Sequence, residues 1–437
     1  MRVNAKPLWR GTLTLLLGSG AAQLAPLLLG PFLARMYGPE TFGVFHLASA
    51  IGGNVAVVAC ARYEFALPLA QSDAEAAALR GLCVRVLLAV SVTSLAASVA
   101  AALWWGSAWP LAVPLMVVSL GVLSLFTLEA TRLQRFTVLA GARITQFWGC
   151  GALQLAMGAL HAGLWGLLLG PILAAMSAAL VLRRASSSDT GTATVQGQIS
   201  GPNGRTPDSD HMNCAAATTD WKKVARLHRD FPFLNTPHAF LGALQDTLSI
   251  ALIAAFAGPT AAGVWGLTLR YLKAPATLAG GAVSQVLYPT LGAQEGPSIA
   301  SREQVRQVMR VLMASGLALG GAVYALSDWV LPTLLGPGWE AAGPLGQALA
   351  VYIGLHFVAS PLGVVTLAWR AQAWALNVIV IGQAMFLAAL ASALVWPPAG
   401  ADPLEQAATA ISVAMAIYFG WYFYRLWNWP VPMAAEC

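Results

Sequence analysis

The chain has 437 residues, of which 58% are hydrophobic and 10% charged, with a mean hydropathy of +0.67. An ordinary soluble domain carries about 25% charged residues, so this chain lacks the charge to cover a surface that faces only water, and its apolar content excludes a wholly disordered protein. Its apolar runs extend over about twenty residues without alternation, which points to membrane helices rather than barrel strands.

Twelve such segments are expected, near 12–34, 42–61, 83–104, 111–131, 141–160, 164–182, 239–257, 261–289, 311–331, 345–367, 375–395 and 406–426. Arg2, Lys6 and Arg10 precede the first one. That run continues to Leu33, well past a signal-peptide core of about 7–15 residues, and reads as a retained span. With the N-terminus inside and twelve crossings, all but three of the 24 Lys and Arg residues fall on the cytoplasmic side. Such a bias is the positive-inside signature, and it places both termini in the cytoplasm. The net charge of +6 therefore reports membrane orientation and implies no nucleic acid.

Between the sixth and seventh segments, residues 185–220 are polar, small and without periodicity, which predicts a disordered linker. The basic stretch WKKVARLHRDFPF that follows, from Trp221, is expected along the cytoplasmic interface, its cations near anionic lipid. The linker separates an N-terminal lobe, 1–184, from a C-terminal lobe, 221–437. A repeat supports two halves. Gly38-Pro39-Glu40-Thr41-Phe42-Gly43-Val44-Phe45 follows the first segment, and Gly258-Pro259-Thr260-Ala261-Ala262-Gly263-Val264-Trp265 follows the seventh. Both read G-P-x-x-x-G-V-aromatic. Each half holds an even number of spans, as in transporters built from parallel repeats.

Catalytic and metal-binding patterns are missing from the sequence. The 5 Cys form no C-x-x-C pair and read as small buried side chains; the 6 His show no metal-ligand spacing. There is no Walker A motif. Trp104, Trp105 and Trp109, and again Trp421, Trp427 and Trp429, are expected as headgroup anchors.

Charges inside the bilayer are costly and need a reason. Asp246 lies in the seventh segment, and Arg270 and Lys273 lie in the eighth. Counted from the turn between them, Asp246 and Arg270 sit on the order of 15–18 Å below the outer face, at matching depth. Arg270 and Lys273, at i and i+3, share a helix face. One acid against two cations leaves a positive surplus suited to an anionic substrate, with Asp246 as the supporting partner. A plain ion pair between the two segments is the competing reading. Pro275 and Gly280-Gly281 are expected to interrupt the eighth helix just beyond, as transporter helices break at their sites. Arg62 and Glu64, an ion pair near the cytoplasmic face, form a second charged group. Glu129 at the foot of the fourth segment is expected to behave similarly. Arg35 is the lone cation on the outer side. Arg35 and Arg62 are the further candidates for substrate contact, and Gln23, Gln146 and Gln285 for a polar lining. Interhelical hydrogen bonding is an equal explanation for each glutamine.

At these residues a family resemblance emerges. SGAAQLAPLLLGPFLARMYGPETFGVFHLASA from Ser19, ARYEFALPLAQSDAEA from Ala61, RDFPFLNTP from Arg229, GVWGLTLRYLKAPATLAGGAVSQVLYP from Gly263 and LGPGWEAAGPL from Leu335 resemble bacterial polysaccharide flippases of the Wzx type. These belong to the multidrug/oligosaccharidyl-lipid/polysaccharide (MOP) exporter superfamily. The resemblance implies an all-α integral membrane protein of about twelve transmembrane helices, in two six-helix lobes around a central cavity. It also implies alternating access, a bacterial inner membrane, and a polyprenyl-pyrophosphate-linked oligosaccharide as cargo, moved to the outer leaflet for surface polysaccharide assembly. Membrane lipid and polysaccharide polymerase or export components are the implied partners. No cofactor is expected, though H+ or Na+ coupling fits such a carrier. An ion-coupled drug or cation antiporter of the same superfamily is the alternative, and would favour acids over cations in its cavity. A membrane enzyme of glycan assembly is a second alternative, and would need acids or His on a large outer loop.

Overall fold

A computed structural model describes residues 5–188, 221–292, 296–397, 400 and 402–431. From residue 189 onward the expected linker lies outside the described residues, as do Cys214 and Cys437. Every described element is helical. In lipid, where no water satisfies the backbone, a helix closes its own hydrogen bonds.

Helix α1 spans Ala5–Val57 and holds the first two apolar segments, joined at Gly38, whose φ of 69° and ψ of 166° are non-helical. A 3-10 turn, Tyr63–Leu69, leads to α2 (Asp73–Trp105), which Ser72 caps by accepting from the Glu75 N–H. Then come α3 (Ala112–Arg132), α4 (Phe136–Ala159) and α5 (Gly163–Ser188). The short α6 (Trp221–Leu227) and a π-type turn, Phe231–Asn235, precede α7 (Thr236–Phe256). The remaining helices are α8 (Gly258–Gly292), α9 (Ile299–Leu335), α10 (Ala342–Ala368), α11 (Gln372–Val395) and α12 (Pro403–Trp427). Each of the twelve expected segments falls on one of these helices. Among the described residues, eight helices are long and apolar enough to cross a membrane, and the protein is a multi-pass membrane protein.

Contacts divide the chain otherwise than the linker does. One unit combines Met1–Leu33 with Ala48–Thr247, and the second combines Ala34–Leu47 with Leu248–Cys437. In the first unit α4 and α5 pack through Gly170 and Gln154, whose buried Nε2 donates to the Leu167 carbonyl at 2.9 Å. For Gln154, then, the interhelical reading of a membrane glutamine holds. α6 docks on the same unit: Val224 is buried, His228 Nε2 lies 2.9 Å from Glu75 Oε1, and Arg85 sits over the Trp221 ring. So the basic stretch expected along the lipid interface also has a seat on α2.

In the second unit α9 and α10 cross through glycines. A Cβ on Gly316 would come 2.6 Å from the Gly354 carbonyl oxygen, and one on Gly354 equally close to that of Gly316. Small residues permit this close approach in membrane helices. Residues of α1 belong here too. Trp339 is fully buried, donates from Nε1 to the Ala34 carbonyl at 3.1 Å, and meets Phe42 edge-on at 5.5 Å. Glu340 in the same loop accepts from the Gly338 N–H at 3.0 Å, which holds its carboxyl below the usual carboxylate range.

The two copies of the G-P repeat meet inside this unit. Gly38 and Gly258 both adopt positive φ, 69° and 88°, where a side chain is strained. A Cβ on Gly43 would overlap the Pro259 carbonyl oxygen, and a Cβ on Gly263 would overlap that of Pro39. The contact is reciprocal, as a two-fold relation between copies requires. The sequence pattern thus encodes one helix crossing from both sides.

Candidate functional site

α8 carries the two intramembrane cations. Arg270 is exposed and Lys273, less than one turn on, is half-buried. Lys273 Nζ lies 5.5 Å from the centroid of the Tyr352 ring on α10, within cation–π range. Tyr352 is itself packed by His356, Phe386 and Phe419, at centroid distances of 5.6, 5.7 and 6.4 Å. On the other side, the His46 ring of α1 fills the space beside Gly266, where a Cβ would come 2.6 Å from Cδ2. Gly266 is one turn before Arg270, so the imidazole and the guanidinium share a face of α8. His46 lies within electrostatic reach of Arg270, and His356 within that of Lys273. His46 Nε2 is buried with no hydrogen-bond partner. The result is a band of one guanidinium, one ammonium and two imidazoles, with Tyr352 beneath it.

His46, His356 and Tyr352 were not singled out from the sequence. The signal was present, since a histidine within an apolar membrane segment is itself an expensive polar group. What hid them was the focus on metal-ligand spacing.

The expected interruption at Pro275 is absent: Gly258–Gly292 is one helix with Pro275 and Pro289 inside it. Proline removes one ladder bond and frees one carbonyl, here that of Tyr271, and membrane neighbours tolerate the remainder. Gly280 serves packing instead, since a Cβ there would come 2.6 Å from Ser360 Oγ on α10.

The other expected residues are dispersed. Asp246 is exposed on α7 and belongs to the first unit, whereas Arg270 and Lys273 belong to the second. Arg35 donates from Nη2 to the Thr333 carbonyl at 2.8 Å. It therefore satisfies one of the free carbonyls at the end of α9 and complements that helix dipole. Arg62 and Glu64 stand in the first unit, and among the described residues no ion pair joins them. Arg62 lies 4.6 Å over the Phe65 ring, and its Nε, like Glu64 Oε2, is buried without a partner. The αL backbone of Arg62, φ 60°, aims the side chain at Phe65 instead of Glu64. Glu129 does pair, accepting from Arg80. Gln23 and Gln285 are exposed. Gln146 is half-buried and lines a cavity of about 310 Å³ with Ser124, Thr127 and Arg143.

Comparison with known proteins places this geometry. Residues 222–344, which contain α7, α8 and all of α9, match the family model "Polysaccharide biosynthesis protein". No curated protein matches the chain in sequence. Among solved structures, the lipid II flippase MurJ in an inward closed conformation aligns with a TM-score of 0.66 at 10% identity, over 96% of this chain and 88% of that one. The chain has the MurJ fold. A mutant of the Vibrio cholerae MATE transporter VcmN aligns at 0.50 with 14% identity, over 97% and 96% of the two chains. A MATE protein in complex with MaL6 aligns at 0.51 with 13% identity, over 95% of each. The fold is thus shared with these transporters, an all-α membrane architecture as the sequence resemblance implied.

Proposed function

We propose that the protein is a flippase that moves a polyprenyl-pyrophosphate-linked oligosaccharide from the cytoplasmic to the outer leaflet of a bacterial inner membrane by alternating access. Lobes at 1–184 and 221–437 would move against one another, with both termini cytoplasmic. The observation that carries this reading is the Arg270, Lys273, His46 and His356 band on and around α8. Such a lipid keeps its tail in the bilayer while its pyrophosphate needs a polar path, and buried cations are offset when a polyanion binds. Arg270 offers a planar fork for phosphate oxygens, Lys273 a point charge, and the imidazoles hydrogen bonds. Arg35 and Arg62 are engaged elsewhere, and we no longer assign them to the cargo.

The antiporter reading would place carboxylates where these cations stand. The flippase reading is tested in proteoliposomes with a polyprenyl-pyrophosphate oligosaccharide, scored by enzymatic access to the outer leaflet. Flipping is expected. No flipping, together with extrusion of an organic cation, would replace this reading with the antiporter. Asp246→Leu combined with Arg270→Leu separates binding from mere pairing: normal flipping by that double variant would sink the assigned role of Arg270.

A further inference from the structure

We propose that Cys60, Glu64 and Cys83 form a binding site for one thiophilic divalent metal ion, Zn2+ foremost, in the first unit. Neither cysteine has a sequence partner at ligand spacing, and the fold brings them together. Cys60 lies just past the end of α1, Glu64 follows four residues later in the 3-10 turn, and Cys83 stands on α2. The two thiols and a carboxylate oxygen lie within 4.8 Å of one another. Tetrahedral zinc, with Zn–S near 2.3 Å and Zn–O near 2.1 Å, needs ligand atoms about 3.6–3.8 Å apart. The site therefore closes around an ion by movements of less than about 1 Å.

All three side chains are buried, with exposures of 1, 3 and 0% for Cys60, Glu64 and Cys83. Glu64 Oε2 is buried without any hydrogen-bond partner, a costly state for a carboxyl group. Charge closes as well. Two thiolates and one carboxylate carry −3, a divalent ion supplies +2, and the Arg62 guanidinium, within electrostatic reach of Glu64, supplies +1. Two soft sulfurs disfavour Mg2+ and Ca2+ and favour zinc-like ions. The surrounding wall is apolar, from Ala59, Leu79 and Leu82 among others, so the ion would be held by three protein ligands in a buried site, with the fourth position left for water. Its place gives it a purpose. Bound metal would pin the turn after α1 to α2, where Tyr63 also donates to the Ala225 carbonyl of α6 at 3.4 Å.

This inference does not depend on the transported substrate. The test uses the full-length protein, purified in detergent without metal-affinity steps, and measures bound metal by plasma mass spectrometry. Roughly one zinc per chain is expected, falling at least tenfold in Cys60→Ser/Cys83→Ser and in Glu64→Gln, with Cys150→Ala unchanged. Because those variants remove buried side chains, a second measurement uses the unaltered protein. Stripped of metal and loaded with Co2+, it should show thiolate-to-cobalt charge transfer in the near ultraviolet. Monodisperse protein that holds no stoichiometric metal and gives no such band overturns the proposal. So does a folded double serine variant that keeps its metal, or a Cys60–Cys83 disulfide in protein isolated from reducing cytoplasm.

Discussion

Cations in the first unit and cations on α8 meet different neighbours. Arg80 ends on Glu129, and Arg132 on Asp73 at 2.8 Å; Arg135 donates to the Ala185 carbonyl. Each is matched by an acceptor on another helix. On α8, Arg270 and Lys273 have His46, Tyr352 and His356 among their neighbours. The same residue type thus meets carboxylates and carbonyls in one region and stands beside imidazoles and a phenol ring in the other. The second unit contains ties as well: Arg35 and Arg306 donate to the Thr333 and Trp427 carbonyls near the ends of α9 and α12. Within that unit, then, arginines at helix ends meet carbonyls, and Lys273 meets the aromatic cluster around Tyr352.

The largest effect should come from removing a cation proposed to contact the cargo. Arg270→Ala should lower flipping about 100-fold or more, Arg270→Lys about tenfold, and Lys273→Arg less, because only a planar guanidinium grips phosphate oxygens in pairs. Amounts of folded protein in the membrane should stay near normal. Equal activity of Arg270→Lys and the unaltered protein would show that Arg270 acts as a point charge or not at all.

The repeat crossing comes next, and it tests packing rather than charge. Gly263→Ala places a methyl on the Pro39 carbonyl, and overpacking of this kind costs about 1–3 kcal/mol. Gly281→Ala, where nothing lies within 4 Å, is the control. Thermal unfolding in detergent should fall clearly for Gly263→Ala and rise or stay level for Gly281→Ala. Equal midpoints would mean that the crossing adapts freely.

A smaller effect is expected at Glu129, which is mostly buried while its partner Arg80 is half exposed. Glu129→Gln should cost about 1–2 kcal/mol, since the arginine reaches water once unpaired and the cost stays below that of a fully buried pair. Flipping per folded molecule should be unchanged, which distinguishes a structural tie from a cargo contact.

These expectations separate what the sequence made legible from what it concealed. Run length located all twelve segments because membrane thickness is a local constraint on chain length. The G-P repeat was legible as well, since a glycine forced by close approach leaves a mark at a fixed place in each copy. The cation pair on α8 could be read from i, i+3 spacing alone. Its surroundings could not. His46 reaches Gly266 across 220 residues of chain, and Cys60 meets Cys83 through a turn of two left-handed residues, Ala61 and Arg62, with φ of 48° and 60°. Neither residue type announces that conformation. The continuity of α8 through Pro275 was misjudged because a proline's cost depends on the helices packed around it. Arg62 and Glu64 were paired on sequence proximity, which backbone direction overrode.

The smallest effect belongs to Arg132 and Asp73. Asp73 is 98% exposed in its side chain and Arg132 21%, so water and salt screen their attraction before and after substitution. Asp73 also stands in the first turn of α2, where a carboxylate complements the exposed N–H groups of the helix. Asp73→Asn removes both contributions and should lower stability by about 0.5 kcal/mol or less. Arg132→Gln removes only the pair. If pairing dominates, the two variants unfold at the same temperature and both lose their difference from the unaltered protein in high salt. If the helix terminus dominates, only Asp73→Asn is shifted. A shift at Arg132→Gln as large as that at Glu129→Gln would break the comparison from which these predictions start, because an exposed tie would then count as much as a buried one.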